Sequence, residues 1–416
     1  MSAANGQGLP LDRLPPPAAT APFDLLEGTT VIDLTTSIAG PYATLLLADM
    51  GADVIKVERP EGDDARAWGP PFLAGESLWF QSVNRNKRGV KLDYGRPEGR
   101  AILERLISGA DVLATNQLPR VLAKLGLAPA QTVGLHERLI HVAITGFGLE
   151  GARAERPAYD LIAEGYSSVM DLTGEIDGEP QKIGTPAADL LAGMDAAFAV
   201  AASLAARART GKGRLIDVAL VDSMTRFMTP RIVPYLGSGT VPRRSGARDS
   251  VIAVYQVFHT ADAPLTLGIG SDAIWRRFWQ AVGEPALADD PRYRSNADRR
   301  ADRPALVARI QAILSRQGRA AWLEIFAKAG VPAGPINRLD EVTADEALLA
   351  RGLFYALPRQ GAPSVPQVNT GIMLDGAANA PRRAPPALGA DTDDVLRARA
   401  GCDDDDLARL RAAGVI

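Results

Sequence analysis

Residues 29–58 read TTVIDLTTSIAGPYATLLLADMGADVIKVE, and the order of patterns inside this stretch decides the fold class. The β-branched run 29–34 predicts a strand, the small residues Ala39, Gly40 and Pro41 a turn, and 42–50 a helix. Residues 53–58 (DVIKVE) then return to the strand pattern. Strand, helix and strand in so short a span form a βαβ unit, in which the crossover helix makes the two strands parallel. The rhythm continues with strands at 89–92, 111–114 and 139–145 and a helix at 97–107. Short apolar strands alternating with amphipathic helices predict an open parallel sheet covered on both faces. Ligands of such sheets bind beyond the carboxyl ends of the strands, so segments 37–41, 59–64 and 115–120 are expected to gather there. No G-x-G-x-x-G follows the first strand and no Walker A sequence occurs, so neither dinucleotide nor nucleoside triphosphate binding is signalled.

A long alanine-rich helix at 190–208 and the turn Thr210-Gly211-Lys212-Gly213 lead into a strand at 215–220. From residue 229 prolines and glycines break the α/β rhythm, which places a smaller domain at 229–340 after a large α/β segment at 23–228. The small domain is expected to carry strands at 252–258 and 265–268 and helices at 273–282, 303–317 and 319–329. Beyond it, a strand near 371–374 and two short helices are expected, with the acidic run 403–406 capping the last helix. Residues 1–22, rich in proline and alanine and lacking an apolar core, read as a flexible tail and not as a signal peptide.

Composition narrows the chemistry. The chain has 416 residues, 46% hydrophobic and 23% charged, enough to bury a sizeable core in two or three domains. A formal net charge of -3 gives no global attraction to nucleic acid or to an anionic membrane. The single cysteine, Cys402, excludes an internal disulfide framework and fits a reducing cytoplasm. The three histidines, His136, His141 and His259, have no H-x-x-x-H spacing, so no metal site is expected.

Residues 184–193 (GTPAADLLAG) deliver one carboxylate, Asp189, to the start of the long helix. Read locally, Asp189 is an N-cap, held in its ionised form by orphan N–H groups and the positive end of the helix dipole. That pattern alone fits a plain cap as well as a nucleophile.

The chain resembles the family III CoA-transferases, the group containing formyl-CoA transferase and carnitine CoA-transferase (CaiB/BaiF type), over residues 26–416. The resemblance rests on VIDLTTSIAGPYATLLLADMGADVIKVERPEGDDARAWGPP, on NRNKRGVKLD followed by PEGR, and on the GFG turn before RPAYDLIAEG. It continues through ADLLAGMDAAFAVAASLAARARTGKGRLIDVAL, DPRYRSNADRRADR and AGVPAGPINRLDEV to LGADTDDVL and LRAAGVI. The resemblance implies a Rossmann-like open-sheet domain built from N- and C-terminal segments, with 341–416 returning to it, a small central α+β domain, and an interlocked homodimer. It also implies transfer of CoA from an acyl-CoA donor to a small carboxylic acid. The family's nucleophilic aspartate falls on Asp189, which would carry a mixed anhydride and then an aspartyl-CoA thioester. CoA is thus a substrate, and no tightly bound cofactor is expected.

By position, Ser37, Ile38, Ala39, Arg59, Leu92, Asn116, Val121 and Lys124 match the family's CoA-contacting places, with Arg59 and Lys124 suited to phosphate groups. The chain departs from the family at Thr115-Asn116-Gln117, which stands for Glu-Asn-Phe, and at Gly95, where some members carry Lys. Ile38 stands where formyl-CoA transferase has a catalytic Gln, which argues against that substrate pair. The α-methylacyl-CoA racemases share the fold and use a His/Asp pair, but the histidine's place is taken here by Tyr159. A phenol with an ordinary pKa of about 10 is a poor general base, so Tyr159 is assigned with Ile38 to the acyl pocket. A racemase-like enzyme and a catalytically inactive CoA-binding paralogue are the competing readings.

Overall fold

The computed structural model describes residues 9–18, 21–359 and 361–416. Contacts group the chain into two units, a larger one of Met1–Val169, Ile183–Pro234 and Thr343–Ile416, and a smaller one of Met170–Lys182 and Tyr235–Val342.

The larger unit is built on six strands: β1 (Thr30–Asp33), β2 (Asp53–Glu58), β3 (Lys87–Lys91), β4 (Val112–Thr115), β5 (Ile140–Thr145) and β6 (Arg214–Ala219). All pair in parallel, in the order β3-β2-β1-β4-β5-β6. Val31 of β1 is in register with Val54 on one side and Val112 on the other. Every residue of β1, β4 and β5 is buried, which is why these strands read as unbroken apolar runs and not as alternating ones. The strand order reverses between β1 and β4. The loops leaving these two strands therefore diverge, opening a crevice at their carboxyl ends.

The helices of this half are α1 (Ala39–Asp49), α2 (Pro97–Ser108), α3 (Asp160–Tyr166), α4 (Ala187–Thr210) and α5 (Leu220–Phe227). α4 packs along α1 and against β5 and β6. It is long and apolar enough to cross a membrane, yet here it is a core helix of the α/β layer. It stops at Gly211, whose φ of 71° forms a left-handed C-cap within the turn expected at 210–213.

The smaller unit holds a three-stranded antiparallel sheet, β7 (Tyr255–His259), β8 (Pro264–Gly268) and β9 (Ala333–Pro335), with β8 in the middle. Its helices are α6 (Asp272–Ala281), α7 (Arg303–Leu314) and α8 (Arg319–Ala329). Trp275, Phe278 and Trp279 fall at i, i+3 and i+4, so one face of α6 is aromatic and buries against Trp322 and Phe326 of α8.

The C-terminal segment closes the β3 edge of the large sheet with α9 (Thr392–Ala400) and α10 (Asp404–Ala412). Gly89 N–H donates to Asp391 Oδ2 (2.8 Å), Lys91 N–H to Thr392 Oγ1 (3.0 Å) and Asp93 N–H to the Val415 carbonyl (2.7 Å). Leu396, Leu410 and Val415 share one core with Val90, Leu92 and Leu103. Asp403 caps α10 by accepting from Asp406 N–H.

Three local expectations change. The strand expected at 371–374 is a two-residue pairing of Met373–Leu374 with Ala377–Ala378. The hairpin of Phe354–Arg359 and Ala362–Val368 has no strand signal in the sequence, because Pro358, Pro363 and Pro366 interrupt its pattern. Part of the expected tail is tied down: Pro10–Arg13 form a turn of 3-10 helix, and the Pro15 carbonyl accepts from Ala356 N–H at 2.8 Å. Residues 1–8, 19 and 20 of that tail lie outside the described residues.

Candidate active site

Asp189 is not the N-cap of α4. The helix begins at Ala187 after Pro186, which has no side-chain hydrogen-bonding atom with which to cap, so Asp189 is the third helical residue. The capping group comes from α3. Asp160 Oδ1 accepts from Ala188 N–H at 2.8 Å and from Asp189 N–H at 3.4 Å. Ala187 N–H is taken by the Thr185 carbonyl (2.8 Å) and Leu190 N–H by that of Pro186 (3.1 Å). All four amides at this helix start are therefore engaged, and none is free to hold an oxyanion there.

The electrostatic expectation for Asp189 reverses with this geometry. Burial pushes its carboxyl up, and the Asp160 carboxylate pushes it further, to about 7. The helix start would lower that value in isolation, but Asp160 already occupies its donors.

Asp189 opens on a cleft of about 220 Å³ in the larger unit, at the carboxyl ends of β1, β4 and β5. Thr36, Ser37 and Ala39 line it from the β1 to α1 loop, Asn116 and Leu118 from the loop after β4, and Tyr159 from the N-cap of α3. The cleft thus forms where the reversal of strand order puts a crevice. Asn116 ties its two main loops together: Oδ1 accepts from Thr36 N–H (3.1 Å) and Nδ2 donates to the Thr36 carbonyl (2.8 Å). Gly146 keeps the third loop close, since a Cβ there would lie 2.3 Å from the Ala158 Cβ.

The β1 to α1 loop is held by buried charges. Lys56 Nζ donates to Asp63 Oδ2 and to the Thr35 carbonyl, each at 2.8 Å, and both side chains of this ion pair are fully buried. Asp63 Oδ1 accepts from Ser37 N–H at 2.9 Å, at a residue whose φ of 70° lies in the left-handed region. Such a conformation in a residue with a Cβ costs of order 1 kcal/mol and persists because its surroundings fix it. Asp33 lies beneath the same loop, where burial raises its carboxyl but the Lys87 and Lys56 ammonium groups outweigh that and hold it below the usual range. Burial wins at Lys87, which falls to about 8. Beyond Ser37, the N–H groups of Ile38, Ala39 and Gly40 have no protein acceptor among the described residues, so the start of α1 presents free donors beside Ser37 and Ala39 of the cleft wall.

Of the residues singled out in the sequence, Ser37, Ala39, Asn116, Tyr159 and Asp189 share this cleft. Ile38 is buried instead in an apolar cluster with Leu45 and Val83, on which Leu190 packs. Leu92 is fully buried in the main core. Arg59 is half exposed and paired with Asp64, a cleft residue, at 3.7 Å. Val121 and Lys124 lie exposed on the short helix Pro119–Lys124. Asp63, Lys56 and Asp160 were not legible as site residues, because Lys56 and Asp63 act through the loop that they brace and Asp160 acts through amides of α4, nearly thirty positions along the chain.

The family model described as CoA-transferase family III matches residues 26–392. The chain is 40% identical over 378 residues to a succinate–glutarate CoA-transferase of Agrobacterium fabrum, covering 89% of this chain and 94% of that one. It is 36% identical over 416 residues to succinyl-CoA:glutarate CoA-transferase of Mus musculus, covering 99% and 94%. A solved CaiB/BaiF family protein from Brucella suis superposes with a TM-score of 0.78 at 38% identity, covering 90% of this chain and 98% of its own. With a match spanning most of its length and relatives of this identity, the chain is a CoA-transferase and belongs to CoA-transferase family III.

Proposed function

We propose that this enzyme moves CoA from succinyl-CoA, or a similar acyl-CoA, to a short dicarboxylic acid by way of a covalent intermediate on Asp189. The observation that carries this reading is a half-buried carboxylate with a pKa of about 7, standing in a cleft beside the free amides of the α1 start. An acid of that basicity is a better nucleophile than an ordinary aspartate and is still substantially ionised at neutral pH.

Asp189 Oδ attacks the thioester carbon of the donor, the C–S bond breaks, and CoA leaves as a thiolate. The thiolate then attacks Cγ of Asp189, the bond from Cγ to the bridging oxygen breaks, and the donor acid leaves as its carboxylate. An incoming carboxylate attacks Cγ of the aspartyl-CoA thioester and expels the thiolate. The thiolate takes the acyl group from this second anhydride, and Asp189 is restored. Charge and protons balance without redox chemistry or ATP, and no tightly bound cofactor enters. Each tetrahedral oxyanion needs donors, and the Ala39 amide, without a protein acceptor among the described residues and belonging to a residue of the cleft wall, is the one we assign to it.

Ser37, Ala39 and Asn116 form the wall along which the thioester arm lies. Arg59, which follows β2, and Lys124, on the helix after β4, are the cations we assign to the phosphates, at the strand ends where such ligands bind. Val121 contributes apolar shape, and Tyr159 faces the acyl group. The dicarboxylic substrate class is supported by the names of the Agrobacterium and mouse relatives.

The working unit we propose is a homodimer in the cytoplasm. Its support is the set of exposed apolar side chains on the larger unit: Met194 and Phe198 of α4, 52% and 77% exposed, with Leu161 and Ile162 of α3 and Phe227 of α5, two helices packed against α4. The free, buried Cys402 fits a reducing compartment.

Asp189→Ala tests the reading. Exchange of CoA between succinyl-CoA and glutarate should fall by on the order of 10³-fold or more, with CoA affinity near that of the unmodified enzyme. Retained exchange contradicts it.

A further inference from the structure

Asp160 reaches α4 from α3 and takes two of its starting amides, those of Ala188 and of Asp189 itself. A helix start ordinarily stabilises a carboxylate in its first turn through these same donors. Here that stabilisation goes to Asp160, and Asp189 is left facing a like charge. None of the residues lining the cleft carries a positive charge that would offset it.

We propose that Asp160 is a positioning residue for the nucleophile: anchored on the Ala188 and Asp189 N–H groups, its carboxylate takes the donors of the helix start and sets a like charge beside Asp189, which therefore meets the thioester as a more basic nucleophile. The proposal rests on Asp189 being the attacking group.

The other titratable groups on elements packed against α4 have other engagements. Arg226 of α5 pairs with Asp195, and Glu164 of α3 accepts from Ile183 N–H. His141 of β5 lies between the hydroxyls of Thr115 and Thr132, and Asp217 of β6 accepts from Leu149 N–H. On α1, Asp49 is paired with Arg85, and Tyr42 is raised by burial. Tyr166 of α3, whose hydroxyl accepts from Arg156, joins Asp222 of α5 and Arg214 of β6 in the set, while Asp64 and Tyr159 share the cleft itself. Asp160 is the charge that acts on Asp189.

The test separates the hydrogen bonds of Asp160 from its charge. Full-length enzyme is mixed briefly with succinyl-CoA from about pH 5 to about pH 9, quenched in acid, and weighed for the covalent CoA adduct on Asp189. Asp160→Asn keeps an oxygen acceptor for both amides and removes the charge. The expected result is an adduct midpoint near neutral pH in the unmodified enzyme that moves down by about one unit or more in Asp160→Asn, with slower adduct formation on the high-pH plateau. Asp160→Ser, another uncharged acceptor, should move it the same way and stands in should Asp160→Asn fail to fold. A midpoint that stays in place while only the adduct yield changes overturns the proposal, because a purely structural cap alters yield and melting temperature but not the midpoint. Absence of any adduct in the unmodified enzyme overturns instead the nucleophile reading beneath it.

Discussion

Gly193 of α4 meets the Ala39 carbonyl of α1 at a distance that leaves no room for a side chain: a Cβ on Gly193 would lie 2.8 Å from that oxygen and 3.0 Å from Tyr42 Cδ1. Gly193 is four residues after Asp189, one turn along the same face of α4. The close crossing therefore sets Asp189 beside the start of α1. The glycine after the aspartate is explained by this contact and not by flexibility.

Gly193→Val should separate the two helices. Overpacking of this kind costs about 1–3 kcal/mol, read as a lower urea midpoint. CoA exchange should fall by more than the lost folded fraction accounts for, because Asp189 and the α1 amides move apart.

Asp63→Ala should be more damaging. It removes the partner of a fully buried Lys56 ammonium and the acceptor that holds Ser37 in its left-handed conformation. Removing the direct ion-pair partner of a buried charge costs about 3–5 kcal/mol, of which the remaining Thr35 carbonyl and Asp33 carboxylate offset a part, measurable by urea denaturation at neutral pH. A loss under about 1 kcal/mol would show that the pair is far more hydrated than its burial implies.

Asp189→Asn should stabilise the protein while abolishing exchange. The Asp189 carboxyl is held at about 7, above its unfolded value, so its favourable contribution is complete only in acid and is lost as pH rises through 7. Replacing it removes a cost present at alkaline pH. The gain should be on the order of 1 kcal/mol at about pH 8 and shrink toward about pH 4. Melting curves of both proteins at the two pH values check this.

His141 predicts part of the acid limit. Burial pushes it down to about 4, below its unfolded value, so the folded protein keeps it neutral between the Thr115 and Thr132 hydroxyls. Between pH 6.5 and 4 the unfolded chain binds the extra proton, and stability falls with pH by up to about 3 kcal/mol. His141→Gln should flatten the stability profile across that window; an unchanged slope would assign the acid sensitivity to other groups.

The sheet was largely legible because buried parallel strands write themselves as β-branched apolar runs: 53–58 was read with the bounds that β2 has. The order of the strands was not, since pairing between β1 and β4 joins residues some eighty positions apart and leaves no local mark. The nucleophile role of Asp189 came from the family resemblance, and its local geometry was misread as that of an N-cap. A cap is assigned from neighbouring residues, whereas the group capping α4 comes from Asp160, and that distant carboxylate reverses the sign of the shift. Ile38 and Leu92 show the same limit in apolar form. Side chains of their kind read alike whether they line a cleft or fill a core, and here both are core.

The path of oxygen tests the central claim most directly. In the proposed exchange each acceptor carboxylate leaves one of its oxygens on Asp189, which later passes it to the departing donor acid. After turnover with succinyl-CoA and ¹⁸O-labelled glutarate in ordinary water, peptide mass spectrometry should find ¹⁸O in the Asp189 carboxyl, and the released succinate should become labelled over successive turnovers. Sustained turnover with Asp189 unlabelled would contradict the account.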